Sequence, residues 1–393
     1  MLPCLRMNSQ MNSADEVFMA RALELAARGK GRAAPNPCVG AVLVRNGDVV
    51  AEGWHERFGD PHAEVNCLAD AREKGVNPKG CTLYVTLEPC NHQGKTPPCT
   101  KAVLLAGIGK VVVGCADPNA RVKGGGADFL RSKGVDVVVG VLERQCQDMI
   151  ADFTVWQFTD RTYNILKMAA TLDGRIAARD AKPARVSGSQ SREMAHRMRE
   201  RVDAVIVGGG TLRQDDPRLT ARPGGILAQK QPLAVVVTSR LPDKGKILTL
   251  LDERPRETIF WTSGEAAGQA NADALRSAGV RVWGLPGLPG PGNGLDLAHG
   301  FTRLRSETSC LTCLCEGGGR LAFSLLEQGV MDEFQYVLAP KVLGDEKGVP
   351  VFCGPPGGRS GPSMEGALRL RLCAARESGP DLVLTYRPAR SVD

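Results

Sequence analysis

The sequence predicts two α/β domains in tandem, preceded by a short tail. Three observations predict it. At 393 residues the chain is too long for one ordinary hydrophobic core. Helical and strand patterns alternate from residue 14 to the C-terminal end, as layered α/β folds require. A helical stretch, ERQCQDMIADFTVWQFTD at about 143–160, separates a first series of strands from a second. The expected boundaries are a tail at 1–13, a first domain at 14–150 and a second at 151–390.

In the first domain, ADEVFMARALELAARG carries Val17, Ala20, Leu23 and Ala27 at helical spacing, and Gly29 ends it. CVGAVLV and DVVAEGW alternate as strands, joined at Asn46-Gly47, a strong hairpin signal. HAEVNCLADAREKG reads as helix, CTLYVTLEP as strand, and PPCTKAVLLAG as a helix entered on prolines. KVVVGCADP and VDVVVGV are further strands. In the second domain YNILKMAATLDG is a strand, SREMAHRMRERV a helix and DAVIVGGGT a strand. PLAVVVTS and ETIFWTS are strands as well. LPGLPGPGNG at 285–294 is too rich in Gly and Pro for either element, and it interrupts this domain rather than dividing it. LTCLCEGGG is a strand running into glycines, LAFSLLEQG a helix, and EFQYVLAP and DLVLTYRP are closing strands.

The bulk numbers narrow the function classes. Hydrophobic residues make up 42% and charged residues 24%, as in ordinary globular domains. No run reaches the ~18 apolar residues that span a bilayer, and the first residues lack the apolar core of a signal peptide. A cytoplasmic protein with no membrane partner is the expectation. There, 13 cysteines are metal ligands or small buried hydrophobes rather than a disulfide framework. The net charge of +7 is dispersed, so no nucleic-acid partner is expected. The densest basic cluster, Arg192, Arg197, Arg199 and Arg201, lies on one helix, as a solvated face or an anion site.

One constellation carries metal chemistry. His62-Ala63-Glu64 opens a helix, and Pro89-Cys90 and then Cys99 follow a strand. One His and two Cys make an open zinc site with a fourth position for water. Glu64 is placed to move protons, as in the H-x-E…P-C-x-x-C signature of zinc deaminases. The departure is spacing: eight residues separate Cys90 from Cys99, not two. Either Cys99 is not the ligand or an insertion bulges from the metal turn. Cys310, Cys313 and Cys315 read instead as a buried apolar strand.

The second domain has no G-x-G-x-x-G, since Arg213 stands where the third glycine of Gly208-Gly209-Gly210 would be needed. Glu316-Gly317-Gly318-Gly319-Arg320 lies between a strand and a helix, where backbone N–H groups can approach a phosphate.

Ordered segments make the reading specific. PNPCVGAVLV at 35–44, GWHERFGDPHAEV at 53–65, TLEPCNHQGKTPPC at 86–99 and DPNARVKGGG at 117–126 resemble the deaminase half of the bifunctional riboflavin-biosynthesis deaminase–reductase family. LKMAATLDGRIA at 166–177, VIVGGGTLRQDDPRLTAR at 205–222 and the segment 316–344 resemble its reductase half. The resemblance implies a cytidine-deaminase-like α/β/α domain followed by a dihydrofolate-reductase-like α/β domain. It implies one zinc per chain on His62, Cys90 and Cys99, with Glu64 carrying protons. Asn36, His55, Lys95, Asp117 and Asn119 would bind the deaminase substrate, Lys95 at its phosphate. Ala169, Thr211, Asp215, Ser239, Gly318, Gly319 and Arg320 would contact NADPH, and Lys167, Asp173, Arg199, Leu219, Arg222 and Glu316 the substrate to be reduced. The substrate implied is a pyrimidine ribosyl phosphate, deaminated and then reduced at its ribosyl group. A homo-oligomer through the reductase domain is also implied. One segment departs from the family: Pro183 and Arg185 stand where many members carry Ser and Trp. Arg185 can still stack on a planar cofactor ring. The departure motivates an alternative, a deaminase with an impaired reductase domain.

Overall fold

The computed structural model describes residues 13–92, 97–119, 125–179, 185–243, 245, 248–289, 294–354 and 364–389. It divides after Phe158 into two compact units. The expected division at 150/151 is therefore moved. The connecting helix is two helices, Glu143–Met149 and Ala151–Phe158, and both belong to the first unit. Their apolar side chains decide this: Phe153 and Trp156 are buried, and Lys30 reaches Asp152 at 3.0 Å and the Met149 carbonyl at 2.7 Å.

In the first unit, strands β1 (Gly40–Arg45), β2 (Asp48–Trp54), β3 (Thr82–Leu87), β4 (Lys110–Cys115) and β5 (Asp136–Val139) form a sheet in the order β2-β1-β3-β4-β5. β1 pairs antiparallel with β2 and β3; β3, β4 and β5 are parallel. The expected hairpin turn is present, with Asn46 at φ 52° and Gly47 at φ 88°, as a two-residue turn between twisted strands demands. Ser13 caps the first helix, Ala14–Ala27, through the Glu16 N–H. The helix Ala63–Glu73 lies directly on β2. A Cβ at Gly53 would stand 2.3 Å from the Cys67 nitrogen, so only glycine permits the approach. That contact sets where the start of the helix lies.

In the second unit, β6 (Tyr163–Ala170), β8 (Ala204–Gly208), β9 (Leu233–Val237), β10 (Thr258–Ser263), β11 (Arg281–Leu285), β12 (Thr312–Cys315), β13 (Glu333–Leu338), β15 (Leu370–Ser378) and β16 (Asp381–Pro388) form one sheet. Its order is β11-β10-β9-β8-β12-β6-β13-β16-β15. β7 (Arg175–Ala177) and β14 (Val349–Pro350) pair separately. The central strands run parallel, and β12 inserts between β6 and β8. Their near-continuous apolar sequences fit burial on both faces. One cluster packs Trp261 against Phe301 and Trp283; the other centres on Phe260 and Leu250.

The strand expected over DAVIVGGGT runs through Thr211. The strand stops at Gly208 and a helix, Gly209–Asp215, follows at once. Helices at Gly126–Ser132, Ala270–Ser277 and Leu297–Thr308 and strands β11 and β15 were not anticipated. Leu285 ends β11, and Gly287 of the expected loop bridges to Leu295 just beyond it. No helix among the described residues is long and apolar enough to cross a membrane.

Candidate metal centre and cofactor cavity

In the first unit the site sits at the C-terminal ends of β3 and β4, where open α/β sheets bind ligands. His62 is the residue before the helix Ala63–Glu73, and its extended backbone (φ −72°, ψ 164°) turns the ring off the helix axis. Cys90 follows β3 in the turn Glu88-Pro89-Cys90. Pro98 sets the entry to the helix Cys99–Leu105, which Cys99 begins. His62 Nδ1 is 3.6 Å from Cys90 Sγ and 3.3 Å from Cys99 Sγ, and the three ligand atoms lie within 4.8 Å of one another. The Cys99 backbone N–H donates to Cys90 Sγ at 3.3 Å. Despite the eight-residue spacing, Cys99 is brought together with His62 and Cys90. In this pair the Cys99 thiol hydrogen bond favours the thiolate on Cys90, with His62 adding to it, while Cys99 holds its proton.

Glu64, in the first turn of the same helix, is 3% exposed, and burial pushes its carboxyl up. A cleft of about 380 Å³ opens beside these groups. Asn36, His55, His62, Glu64, Cys90, Asp117 and Asn119 all line it, so the structure brings these sequence-predicted residues together. The Pro61 carbonyl lies 3.1 Å from His55 Nδ1 and can only accept, so that nitrogen carries the proton. His55 Nε2 then accepts from the Asn36 amide at 3.1 Å. Burial holds the His55 ring below its ordinary value, and it stays neutral. Burial raises Asp117, whose Oδ1 accepts from the Asn119 N–H at 2.8 Å. Lys95 lies outside the described residues.

Sequence reasoning gave no role to Glu88, which also lines the cleft. Its carboxylate accepts from the Ala127 N–H at 2.9 Å and the Asp117 N–H at 3.2 Å, tying the Cys90 turn to both following segments. Its signal was an acid immediately before Pro-Cys at a strand end. Phe153 and Gln157, on the unit's last helix, complete the wall and carried no local signal.

In the second unit a cavity of about 890 Å³ lies over the C-terminal ends of β6, β8, β9 and β12. β6 and β8 are parted by β12, so this is the crevice where the strand order reverses. Ala169, Thr211, Asp215, Ser239, Gly318, Gly319 and Arg320 all line it, as do Lys167 and Glu316. Gly318 has φ 78° and precedes the nine-residue helix Gly319–Glu327. A Cβ at Gly319 would meet the Pro350 carbonyl at 2.4 Å. The bare turn lies at the start of this helix in the cavity wall, a setting that suits a pyrophosphate. Lys167 is half-buried in the wall, and burial lowers its ammonium from its ordinary value against the opposing pull of Glu316.

Arg199, Leu219 and Arg222 gather around Thr220 instead. Arg199 donates to the Thr220 carbonyl at 3.1 Å and Arg222 to its hydroxyl at 2.6 Å, while Leu219 is buried with φ 50°. Arg199 also bonds Glu316 at 2.6 Å, which links this cluster to the cavity. Asp173 is not brought there. It is exposed, and its oxygens accept from the Leu343 and Gly344 N–H groups at 3.1 and 2.9 Å. Arg185 is exposed, does not line the cavity, and accepts from Lys341 Nζ through its carbonyl at 2.8 Å. Pro183 lies outside the described residues. Lys347–Pro350 and Cys353, which sequence reasoning passed over, form the far wall. Cys310, Cys313 and Cys315 are buried in the second unit, as read from the sequence.

Comparison with known proteins matches a deaminase region and then a reductase domain along the chain. Residues 12–115 match the family described as the cytidine and deoxycytidylate deaminase zinc-binding region, and residues 162–384 match the RibD C-terminal domain. The riboflavin biosynthesis protein RibD of Aquifex aeolicus is 38% identical over 375 residues, covering 95% of this chain and 98% of that protein. RibD of Escherichia coli K12 is 34% identical over 381 residues, covering 94% and 98%. A crystal structure of a diaminohydroxyphosphoribosylaminopyrimidine deaminase/5-amino-6-(5-phosphoribosylamino)uracil reductase from Thermotoga maritima superposes with a TM-score of 0.72. It is 33% identical, with 96% of this chain and 99% of that one covered. The matched deaminase region implies zinc, and the matched reductase domain implies a nicotinamide cofactor. Both matched domains are present, which favours two activities over a deaminase with an impaired partner. On these grounds the chain belongs to the RibD family, the bifunctional deaminase–reductases of riboflavin biosynthesis.

Proposed function

We propose that both sites work in this chain, in the cytoplasm. The first converts 2,5-diamino-6-ribosylamino-4(3H)-pyrimidinone 5′-phosphate to its deaminated form with one zinc per chain. The second reduces the ribosyl group to ribityl with NADPH. The observation that carries the reading is the convergence of His62 Nδ1, Cys90 Sγ and Cys99 Sγ within 4.8 Å beside buried Glu64. One imidazole and two cysteine sulfurs are a donor set that suits zinc, with a position left open.

When bound there, zinc supplies the Lewis acidity that makes water a nucleophile near neutral pH. The chain's own groups do the rest. Water adds to the ring carbon bearing the amine and gives a proton to Glu64. Glu64 passes that proton to the departing nitrogen, the C–N bond breaks and ammonia leaves. The raised carboxyl of Glu64 suits a group that must both take and give a proton. The neutral His55 ring fixes the Asn36 amide, so its Oδ1 can accept from a pyrimidine N–H. Asp117 and Asn119 supply further polar atoms to the ring edge.

In the second site NADPH, when bound, supplies the hydride. Gly318, Gly319 and Arg320 would seat its pyrophosphate, with Ala169, Thr211, Asp215 and Ser239 along its length. Lys167, in the cavity wall, would give the proton that must accompany hydride addition to the sugar, with Glu316 beside it as a fixed charge. Arg199 and Arg222 supply positive charge for the substrate phosphate. The test is direct: one zinc per purified chain, ammonia release from the diaminopyrimidine substrate, and NADPH oxidation that depends on the deaminated product. A metal-free chain that deaminates at the same rate sinks the first assignment, and absent NADPH oxidation sinks the second.

A further inference from the structure

A side cavity of about 250 Å³ opens beside the cofactor cavity and shares Gly209, Thr238 and Arg213 with it. Arg240 stands in its wall as well. We propose that Arg213 and Arg240 form a clamp for a phosphomonoester, the 2′-phosphate on the adenosine ribose of the nicotinamide cofactor. The inference rests on the reading of the second site as a nicotinamide site and assigns the residues that choose between the two dinucleotides.

Position comes first. A dinucleotide whose hydride must reach Lys167 on β6 and Glu316 just after β12, and whose pyrophosphate lies on the Gly317–Gly319 turn, has only one way to continue. It crosses the end of β8 toward β9. Two strand spacings, about 10 Å, bring its far ribose to the end of β9, where Thr238, Ser239 and Arg240 follow the strand.

The local geometry then builds a socket. Thr238 Oγ1 donates to the Arg240 carbonyl at 2.9 Å and accepts from the Arg240 N–H at 3.2 Å, which closes a tight turn beneath the Arg240 side chain. Gly209 lets Arg213 and Thr238 pack together. A Cβ there would stand 2.3 Å from Thr238 Oγ1 and 3.0 Å from Arg213 Nη1. Among the described residues neither guanidinium forms an ion pair. Asp243, the carboxylate in the same wall, accepts from Asn271 at 3.4 Å. Two arginines against one acid leave the socket positive. A planar guanidinium fork suits a dianionic phosphate, whereas the bare ribose hydroxyl of NADH offers it no charge.

The test uses the full zinc-loaded chain without substrate. Binding of NADPH and NADH is measured by calorimetry for the wild type, R213Q, R240Q and R213Q/R240Q, with 2′-AMP and 5′-AMP as fragment probes. The wild type is expected to prefer NADPH by about 100-fold, two charge-assisted contacts' worth. The double variant should lose that preference while NADH affinity stays within about twofold, each single variant losing part. The 2′-AMP preference over 5′-AMP should disappear in parallel. A wild type that prefers NADPH and a double variant that keeps the preference overturns the clamp alone. Equal binding of both dinucleotides by the wild type also overturns it. A wild type that binds neither overturns the nicotinamide reading and the clamp with it. Both side chains are exposed, so circular dichroism melts should coincide across the set.

Discussion

Arg199 Nε donates to Glu316 Oε2 at 2.6 Å, joining a helix of the second unit to the glycine turn that follows β12. The two residues are 117 apart in sequence, and both side chains are largely buried, at 19% and 9% exposure. The pair fixes one wall group of the cofactor cavity and orients the guanidinium against Thr220. Glu316→Gln keeps the shape and removes the charge. NADPH oxidation on the deaminated intermediate should fall by roughly 100-fold, on the scale of losing one charged interaction from an active site. Ammonia release by the same preparation should be unchanged, which distinguishes the effect from misfolding of the whole chain.

The metal set separates binding from chemistry. His62→Ala, Cys90→Ser and Cys99→Ser should each lower zinc well below one per chain and abolish ammonia release. Glu64→Gln should keep the zinc and still lose deamination by roughly 1000-fold, near the middle of the range for proton transfer by a placed side chain. Metal analysis beside an ammonia assay reads both. A Glu64→Gln chain that deaminates normally removes Glu64 from the mechanism.

Asn36 acts through substrate contact and through His55. Asn36→Ala leaves His55 Nε2 without its donor and removes the amide from the cleft. The deaminase KM should rise by roughly tenfold or more, the worth of one buried hydrogen bond. Zinc content should not move, because Asn36 is not one of the three donors.

Gly319 tests the cavity floor. In Gly319→Ala the new Cβ would collide with the Pro350 carbonyl, which is backbone and cannot rotate away. The segment Lys347–Pro350 must shift, and NADPH affinity should fall by roughly tenfold, a cost in the usual range for overpacking. Calorimetric titration with NADPH checks it, and deamination serves as the internal control.

His196 carries a pH signature in stability. Its Nδ1 accepts from the Arg222 N–H at 3.2 Å, and burial, with Arg199 and Arg222 nearby, lowers its folded-state pKa. The unfolded chain therefore binds this proton more readily than the folded one. Stability is full above about pH 6.5 and falls as the pH drops through that value toward the lower folded-state pKa. His196→Gln keeps an acceptor and removes the titration, so its melting temperature should decline less between pH 7 and 5 than that of the wild type.

Much of the first site was legible in the sequence because its parts are local signals. His62 and Glu64 share a helix start, Cys90 ends a strand turn, and Cys99 begins a helix behind two prolines. The second site was legible only in pieces. Its wall comes from four strands that are distant in sequence, so Glu316 and Arg199 could be named but not paired. Asp173 and Arg185 lie in matched or nearly matched segments, yet neither lines the cavity: Asp173 is held by the Leu343 and Gly344 N–H groups, and the Arg185 carbonyl by Lys341 Nζ. The helix Leu297–Thr308 went unread because it follows a Gly/Pro run and contains Gly300, where a Cβ would strike Trp261 at 2.8 Å. β15 went unread because much of both its faces is exposed, so it lacks an apolar rhythm.

The insertion of β12 between β6 and β8 also bears on how the protein is made. Every described residue that lines the metal cleft has been synthesised once the chain reaches Phe158, so that unit can close on itself while the ribosome is still translating. The reductase sheet has no such freedom. β6 is complete at Ala170 and β8 at Gly208, but the strand that must lie between them ends at Cys315. Until then two buried strand edges stand open, each an invitation to pair with a wrong neighbour. The second unit is therefore the part of this enzyme most exposed to aggregation during synthesis, and the one whose yield should depend most on chaperones and on temperature.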